Sequence, residues 1–328
     1  LEENQLIMVP LRIGVMGCAD FAWRAMIPAF IGCDNISLVA VASRSKIKAE
    51  KFGAHFGCEG LVGYESLLSR EDVEAIYMPL PTGLHEEWVR KTIEAGKHIL
   101  VEKSFVENFE SARNLVGLAQ EKECLIVENF LFPHHSQHTW VMDKVSKSEI
   151  GDIHLFRSTF GFPSLPESNF RYNPALGGGA LLDAGAYVVK AAQVFLGNEL
   201  KLLGATLKYD EKTGVDIYGD AMLKNFKGQV AQISFGFDLH YQCNYELLGT
   251  KGKLVVERAF TPPPDLQPSV RLEHQGNMTN LSLPADNHYL NMSRFFAKSV
   301  RDNSSWPEHW GSLLSQAKWI DAIRKEGM

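Results

Sequence analysis

"LRIGVMGCADFA", residues 11–22, is the stretch on which the fold turns. It opens on the apolar run Leu11–Met16 and passes through Gly17 into residues that begin a helix pattern. A strand that turns on glycine straight into a helix is the start of a dinucleotide-binding βαβ unit. The fingerprint G-x-G-x-x-G/A reads here as Gly17-Cys18-Ala19-Asp20-Phe21-Ala22. Gly17 suits the tight turn and Ala22 the close helix–strand packing. Ala19 replaces the second glycine and adds one methyl where a pyrophosphate would approach. The alternative is a βα turn that binds nothing; the strand–turn–helix context favours the dinucleotide.

The same rhythm continues outward from that turn. "SLVAVA" (37–42), "AIYM" (75–78), "HILV" (98–101) and "LIVEN" (125–129) read as strands, and their unbroken apolar character suits a parallel sheet covered on both faces. In "NFESARNLVGLAQEKE", Ala112, Leu115, Val116 and Ala119 recur at helical spacing, with Asn108 as the cap. After residue 150 the pattern changes. "IHLFRSTF" (153–160), "IYGDAMLK" (217–224), "VAQISFGF" (230–237), "YELLG" (245–249) and "KLVVE" (253–257) follow as strands of a mostly antiparallel sheet, interrupted by a helical stretch between Gly177 and Gly197. The expected fold is α/β. A Rossmann doubly wound parallel sheet spans 1–130, and an α+β domain with a large, mostly antiparallel open sheet spans 131–328. A last helix, about Trp310–Lys325, is placed to pack back on the first domain.

The 328 residues suffice for two domains, and 45% are apolar, enough for a sizeable core. The formal net charge of −6 and the lack of a basic run argue against nucleic acid or an anionic membrane as partner. No apolar stretch approaches the ~20 residues of a membrane span. "LEENQLIMVP" has no basic n-region, so a secretory signal is not expected. Leu1-Glu2 reads as a trimmed or added end, with Met8 a candidate start. The five scattered cysteines read as reduced thiols, which predicts a cytoplasmic protein.

Cofactor choice is read at the end of the second strand. NAD sites place an acid about 20 residues past the fingerprint, on the ribose 2′-hydroxyl. Here "VASRSK" offers Ser43 and Arg44 and no acid. A hydroxyl and a guanidinium suit a 2′-phosphate, and Lys46 and Lys48 add positive potential. The expected cofactor is NADP(H); the alternative leaves Arg44 an ordinary surface residue.

Ligands of such sheets bind at the carboxyl ends of the strands. Three segments end there: Pro79, Leu80, Pro81 and Thr82 leading to His85; Glu102-Lys103; and Glu128-Asn129-Phe130. A cation near the nicotinamide can stabilise an alkoxide as hydride reaches its carbon, which is the role expected of Lys103. The bland alternative is a surface lysine paired with Glu102. In "NFRYNPALGGGALLDAGAY", Gly177-Gly178-Gly179 permits close backbone approach ahead of a helix, and Asp183 and Tyr187 are four apart, hence on one helical face. Tyr187 is a candidate proton donor with its pKa lowered by Lys103. Packing at the domain interface is the competing role. Arg171 and Asn129 are assigned, with Glu102 and Lys103, to the cofactor-binding residues. His134, His135 and His138 include one i, i+4 pair, but without a cysteine or an H-E-x-x-H pattern no metal is expected.

Together "GCADFAWRAMIP", "VASRS", "PLPTGLHEEW", "VEKSF", "ENFLFPHHSQH", "RYNPALGGGALLDAGAY" and "GTKGKLVVERAFTPP" resemble the Gfo/Idh/MocA oxidoreductases over essentially the whole chain. The branch they resemble most is the NADPH-dependent 3-ketoreductases of dTDP-3-keto-6-deoxyhexoses. The resemblance implies that the family's E-K-P motif falls on Glu102-Lys103-Ser104 and its D-x-G-x-(H/Y) motif on Asp183, Gly185 and Tyr187. It implies a homodimer or homotetramer formed through the C-terminal sheet. It also implies the reaction: NADPH-dependent reduction of a keto group, at C3, of a nucleotide-linked deoxysugar. Tyr187 would be proton donor, Lys103 would polarise the carbonyl, and Asp183 would orient the sugar or Lys103. Alternatives left open are an NADP-dependent dehydrogenase of a free sugar, cyclitol or dihydrodiol, and a non-catalytic dinucleotide sensor. One departure matters. Ser104 stands where the family usually has proline, often after a cis peptide; a non-proline cis bond costs about 2.5–4 kcal/mol, so the sequence leaves open whether Ser104 keeps the cis form or forces a trans turn.

Overall fold

The structure is a computed structural model and describes residues 9–328, so Leu1, Glu2 and Met8 lie outside the described residues. The first sheet holds β1 (Leu11–Met16), β2 (Ile36–Ser43), β3 (Glu59–Val62), β4 (Ala75–Met78), β5 (His98–Val101) and β6 (Ile126–Glu128). They lie in the order β3-β2-β1-β4-β5-β6, every pair parallel. The order reverses beside β1, and that switch point opens the crevice at the strand ends. Side chains alternate between two cores. Ile13, Val15, Val41, Tyr77 and Leu100 face one side; Met16, Ala42, Met78, Ile99 and Val101 face the other.

The helices of this part are α1 (Ile27–Ile31), α2 (Lys46–Phe56), α3 (Glu65–Leu68), α4 (His85–Glu94) and α5 (Phe109–Glu121). The caps follow local chemistry. Asn108 accepts from the Ser111 N–H at the start of α5, and Ser45 from the Lys48 N–H at the start of α2.

After α6 (Ser136–Ser146) comes a second sheet: β7 (Ile153–Phe162), β8 (Leu200–Tyr209), β9 (Asp216–Asn225), β10 (Val230–Phe237), β11 (Gln242–Gly249), β12 (Gly252–Val256), β13 (Ser269–His274) and β14 (Asn277–Ser282). Its order is β14-β13-β12-β11-β7-β10-β9-β8, antiparallel except where β10 runs parallel to β7. One face buries Phe156, Phe235, Tyr245 and Leu254 against α7 (Ala186–Leu196). The run Pro174–Leu196 is long and apolar enough to span a bilayer by length and composition, contrary to the reading of the sequence. Most of its apolar part is buried, its side chains filling this core.

Two helices from the C-terminal half cross back to the first sheet. In α8 (His288–Arg301), Met292, Phe296 and Val300 join the core that holds Ile13 and Tyr77. In α9 (Trp306–Gly327), Leu313 and Ala317 enter the core holding Ile99, while Trp319, Ile320 and Ile323 enter that of the second sheet. At 1.5 Å per residue this helix is about 33 Å long, enough to serve both. A division at residue 130 therefore describes the sheets but not the packing.

Candidate active site

Gly17 leaves β1 at φ 125°, its N–H donating to Ala42 O at 2.9 Å. That φ lies in the region that glycine alone adopts readily, while a Cβ there would press on the movable end of Leu80. The turn Cys18-Ala19 leads into helix at Asp20, Phe21 and Ala22, which presents main-chain N–H groups at a helix start, the arrangement that holds a pyrophosphate. At the end of β2, Ser43 is buried and accepts from the Ser45 N–H at 3.2 Å. Arg44 is exposed and makes no ion pair among the described residues. These residues fit a dinucleotide bearing a 2′-phosphate.

Pro79-Leu80-Pro81-Thr82 runs out of β4 into a short 3-10 turn, with Thr82 buried. His85 corrects an expectation. It is fully buried, with Nδ1 2.9 Å from Ser104 O and 3.1 Å from Phe105 O, and Nε2 2.8 Å from Leu80 O. It braces two strand-end loops from behind and has no surface to offer a cofactor. Burial lowers its pKa and the three carbonyls oppose that shift.

Beyond β5, Glu102 does not pair with Lys103. Its Oε1 accepts from the Tyr77 hydroxyl and from Asn129 Nδ2, each at 2.7 Å. Burial raises its pKa, opposed by those two hydrogen bonds and by Lys103. The partner of Lys103 is Asp183: Nζ donates to Oδ1 at 2.5 Å and to the main-chain oxygen at 3.0 Å. Arg171 is drawn into the same cluster. Its Nε donates to Asp183 Oδ2 at 2.6 Å, which ties its guanidinium to the acid cluster. Burial pushes Asp183 up, but Lys103 and then Arg171 outweigh it and hold the carboxyl at about 2. The Lys103–Ser104 peptide is cis, the form the sequence left open.

Tyr187 stands beside this cluster. Its ring packs against Phe130 (centroids 5.5 Å apart), Phe160 (5.1 Å) and Phe260 (5.7 Å), and Lys103 Nζ lies 5.1 Å from its centroid. The expected lowering of its pKa by Lys103 is not what this environment produces. Burial raises it well above the usual tyrosine value, the charges of Glu102 and Asp183 add to that, and Arg171 opposes. The phenol therefore stays protonated through the neutral range. Asp183 and Tyr187 share a side of the helix through an irregular start, since Leu181–Gly185 is a π-turn ahead of α7.

The glycine run has a packing role. Gly177, at φ 72°, lies so close to Thr82 and Gly83 that a Cβ would sit 2.7 Å from the Gly83 nitrogen. The histidines diverge: His138 Nδ1 meets the Tyr245 hydroxyl at 2.9 Å, His135 Nδ1 accepts from the Gln137 N–H, and His134 packs on Phe295.

Sequence reading assigned no role to Tyr77, to the side chain of Glu128, or to Lys190. Burial raises Glu128 to about 7, against the pull of Lys190 and of the Phe105 N–H that it accepts at 2.8 Å. The signal for Glu128 was its place at a strand end, beside a residue already singled out.

Residues 11–130 match the oxidoreductase family with NAD-binding Rossmann fold, and residues 139–255 match the GFO/IDH/MocA C-terminal domain. The dTDP-3,4-didehydro-2,6-dideoxy-alpha-D-glucose 3-reductase of Saccharopolyspora spinosa is 44% identical over 320 residues, covering 96% of each chain. That of Actinomadura kijaniata is 40% identical, covering 98% of this chain and 97% of its own. The crystal structure of a 3-ketoreductase from Actinomadura kijaniata, in complex with NADP and TDP-benzene, superposes with a TM-score of 0.92 over 97% of this chain and 98% of that one, at 40% identity. The two family matches, the long alignments and the paired sheets agree: this chain belongs to the Gfo/Idh/MocA family of oxidoreductases.

Proposed function

We propose that the protein reduces the C3 keto group of a nucleotide-linked deoxysugar with NADPH. The observation that carries this reading is the cluster at the strand ends, Lys103 and Arg171 on Asp183 with Tyr187 above, beside a dinucleotide turn that has a guanidinium and no acid at the ribose position. The likeness to reductases of such sugars supports the substrate class. When bound, NADPH supplies the hydride that adds to the carbonyl carbon, and the carbonyl electron pair moves to oxygen. Tyr187 then donates its phenolic proton to that oxygen. Its raised pKa keeps the proton in place until an alkoxide, a stronger base than phenolate, forms. Lys103 stabilises the developing negative charge first on the substrate and then on the phenolate. Asp183, itself held by Arg171, keeps the ammonium in place. Gly17–Ala22 hold the pyrophosphate, and Ser43 and Arg44 the 2′-phosphate.

The protein acts, in this reading, in the cytoplasm as a homodimer or homotetramer. Its five cysteines are free thiols. The outer face of the second sheet carries Met222 (39% exposed) and Leu248 (37% exposed) beside the Arg157–Glu246 ion pair, a mixed surface suited to a second copy. The test is NADPH oxidation with an enzymatically generated dTDP-3-keto-6-deoxy sugar. Turnover to the 3-hydroxy sugar is expected. Turnover only of a free sugar, cyclitol or dihydrodiol with NADP⁺ would favour the dehydrogenase. Cofactor binding without turnover of any of them would favour a sensor.

A further inference from the structure

A π-turn widens a helix locally and re-aims its main-chain carbonyls. In the π-turn Leu181–Gly185, two adjacent carbonyls meet one dipeptide at the end of β5. Asp183 O accepts from Lys103 Nζ at 3.0 Å, and Leu182 O accepts from Ser104 Oγ at 2.9 Å. Ser104 is 3% exposed, so water does not compete for that hydroxyl. On its other side the same turn is braced by His85 at the Ser104 and Phe105 carbonyls and by Glu128 at the Phe105 N–H. Those braces come from the first sheet's own segments. The serine hydroxyl reaches the element that carries Asp183 and Tyr187.

We propose that Ser104 is a positioning residue, its hydroxyl fastening the Lys103 turn to the Leu182 carbonyl and so setting how Lys103 meets Asp183. The proposal rests on the ketoreductase reading of the site. A lysine has a long, rotamer-rich stem, and one ion pair fixes a distance without fixing a direction. Two contacts from consecutive residues to consecutive carbonyls fix both, which is the precision a reacting group needs. A proline at this position has no hydroxyl to offer, so the departure at Ser104 brings with it a contact to the Leu181–Gly185 turn.

The test uses the full chain with Ser104→Ala and Ser104→Thr, measuring steady-state kinetics, NADPH affinity and amide hydrogen exchange. Ser104→Ala should lower kcat about ten-fold, the rate equivalent of one lost buried hydrogen bond. NADPH affinity should stay unchanged. Exchange should quicken in two separate segments, 102–106 and 181–187, and Ser104→Thr should restore rate and protection together. Exchange needs no substrate, so failure of the wild type to reduce a keto sugar would count against the reading of the reaction while Ser104 was still judged. Wild-type kcat in Ser104→Ala, loosening confined to 102–106, or a threonine variant as loose as the alanine one would each overturn the proposal.

Discussion

Asp183→Asn tests the cluster most directly. Asp183 is the shared counter-charge of Lys103, at 2.5 Å, and Arg171, at 2.6 Å, with its side chain only 13% exposed. An asparagine keeps an acceptor for Lys103 but turns a donor toward Arg171, and two cations lose their anion. Removing one partner from a buried pair costs about 3–5 kcal/mol, and the value here should fall near the lower end because the surviving acceptor retains part of the geometry. The pH dependence has a definite sign. Asp183 lies at about 2, below its ordinary 3.8, so its contribution is fully present above the ordinary value and is lost as pH falls toward 2. That contribution is roughly 2–3 kcal/mol. The stability gap between wild type and variant, read by urea unfolding, should therefore narrow as pH drops through that window. Kinetics supply a second sign. The Asp183 charge is one of the causes holding Tyr187 high, after burial and Glu102. Without it the phenol loses its proton more readily, and the alkaline limb of the kcat profile should move to lower pH. An alkaline limb that stayed put or moved up, or a variant as stable as wild type at neutral pH, would refute this account of the cluster.

Arg44→Ala should weaken NADPH binding about 10- to 150-fold while sparing NADH, since one charge-assisted contact to the 2′-phosphate is lost; titrating both cofactors decides it, and equal losses would remove Arg44 from that role. Lys103→Met and Tyr187→Phe should each reduce kcat by about 10²-fold or more, with the double variant falling little further because the two serve one oxygen; a multiplicative double-mutant cycle would separate their functions. Glu128→Gln should flatten the wild type's pH dependence of stability. The Glu128 pKa is raised from 4.5 to about 7, so the proton it holds stabilises the fold below the lower value and that contribution is lost as pH rises through the upper one. Unfolding measurements near pH 5 and pH 8 should show wild type losing about 3 kcal/mol relative to the glutamine variant, and parallel curves would contradict the assignment.

The sheet centres were legible in the sequence and the edges were not, for a physical reason. β1, β4, β5 and β10 match their sequence-read spans because central strands are apolar on both faces or alternate cleanly. The strands missed were β3, β8, β13 and β14, which lie at or beside sheet edges. Edge strands meet solvent and lose the pattern: β14 is exposed at all but one position. Likewise α8 went unread because its apolar residues serve a sheet formed by the other half of the chain. Sequence separation hides that partner, however clear the periodicity looks afterwards.

The site shows the same divide between what a motif states and what only packing decides. Lys103, Asp183 and Tyr187 were picked out by position at strand and helix ends, and the structure brings them together. The choice between two acids for Lys103 was not readable. Glu102 is adjacent in sequence, but both residues lie past the end of β5, in an irregular turn whose side-chain directions no strand periodicity fixes. Glu102 turns to Tyr77 and Asn129, and Lys103 is left for an acid 80 residues away. The Tyr187 pKa follows from the same geometry. A cation above a ring does less to a phenol than burial among Phe130, Phe160 and Phe260 with two carboxylates in reach. In the proposed reaction, a phenol held this way would give up its proton only when an alkoxide appears, which would tie proton transfer to the arrival of hydride.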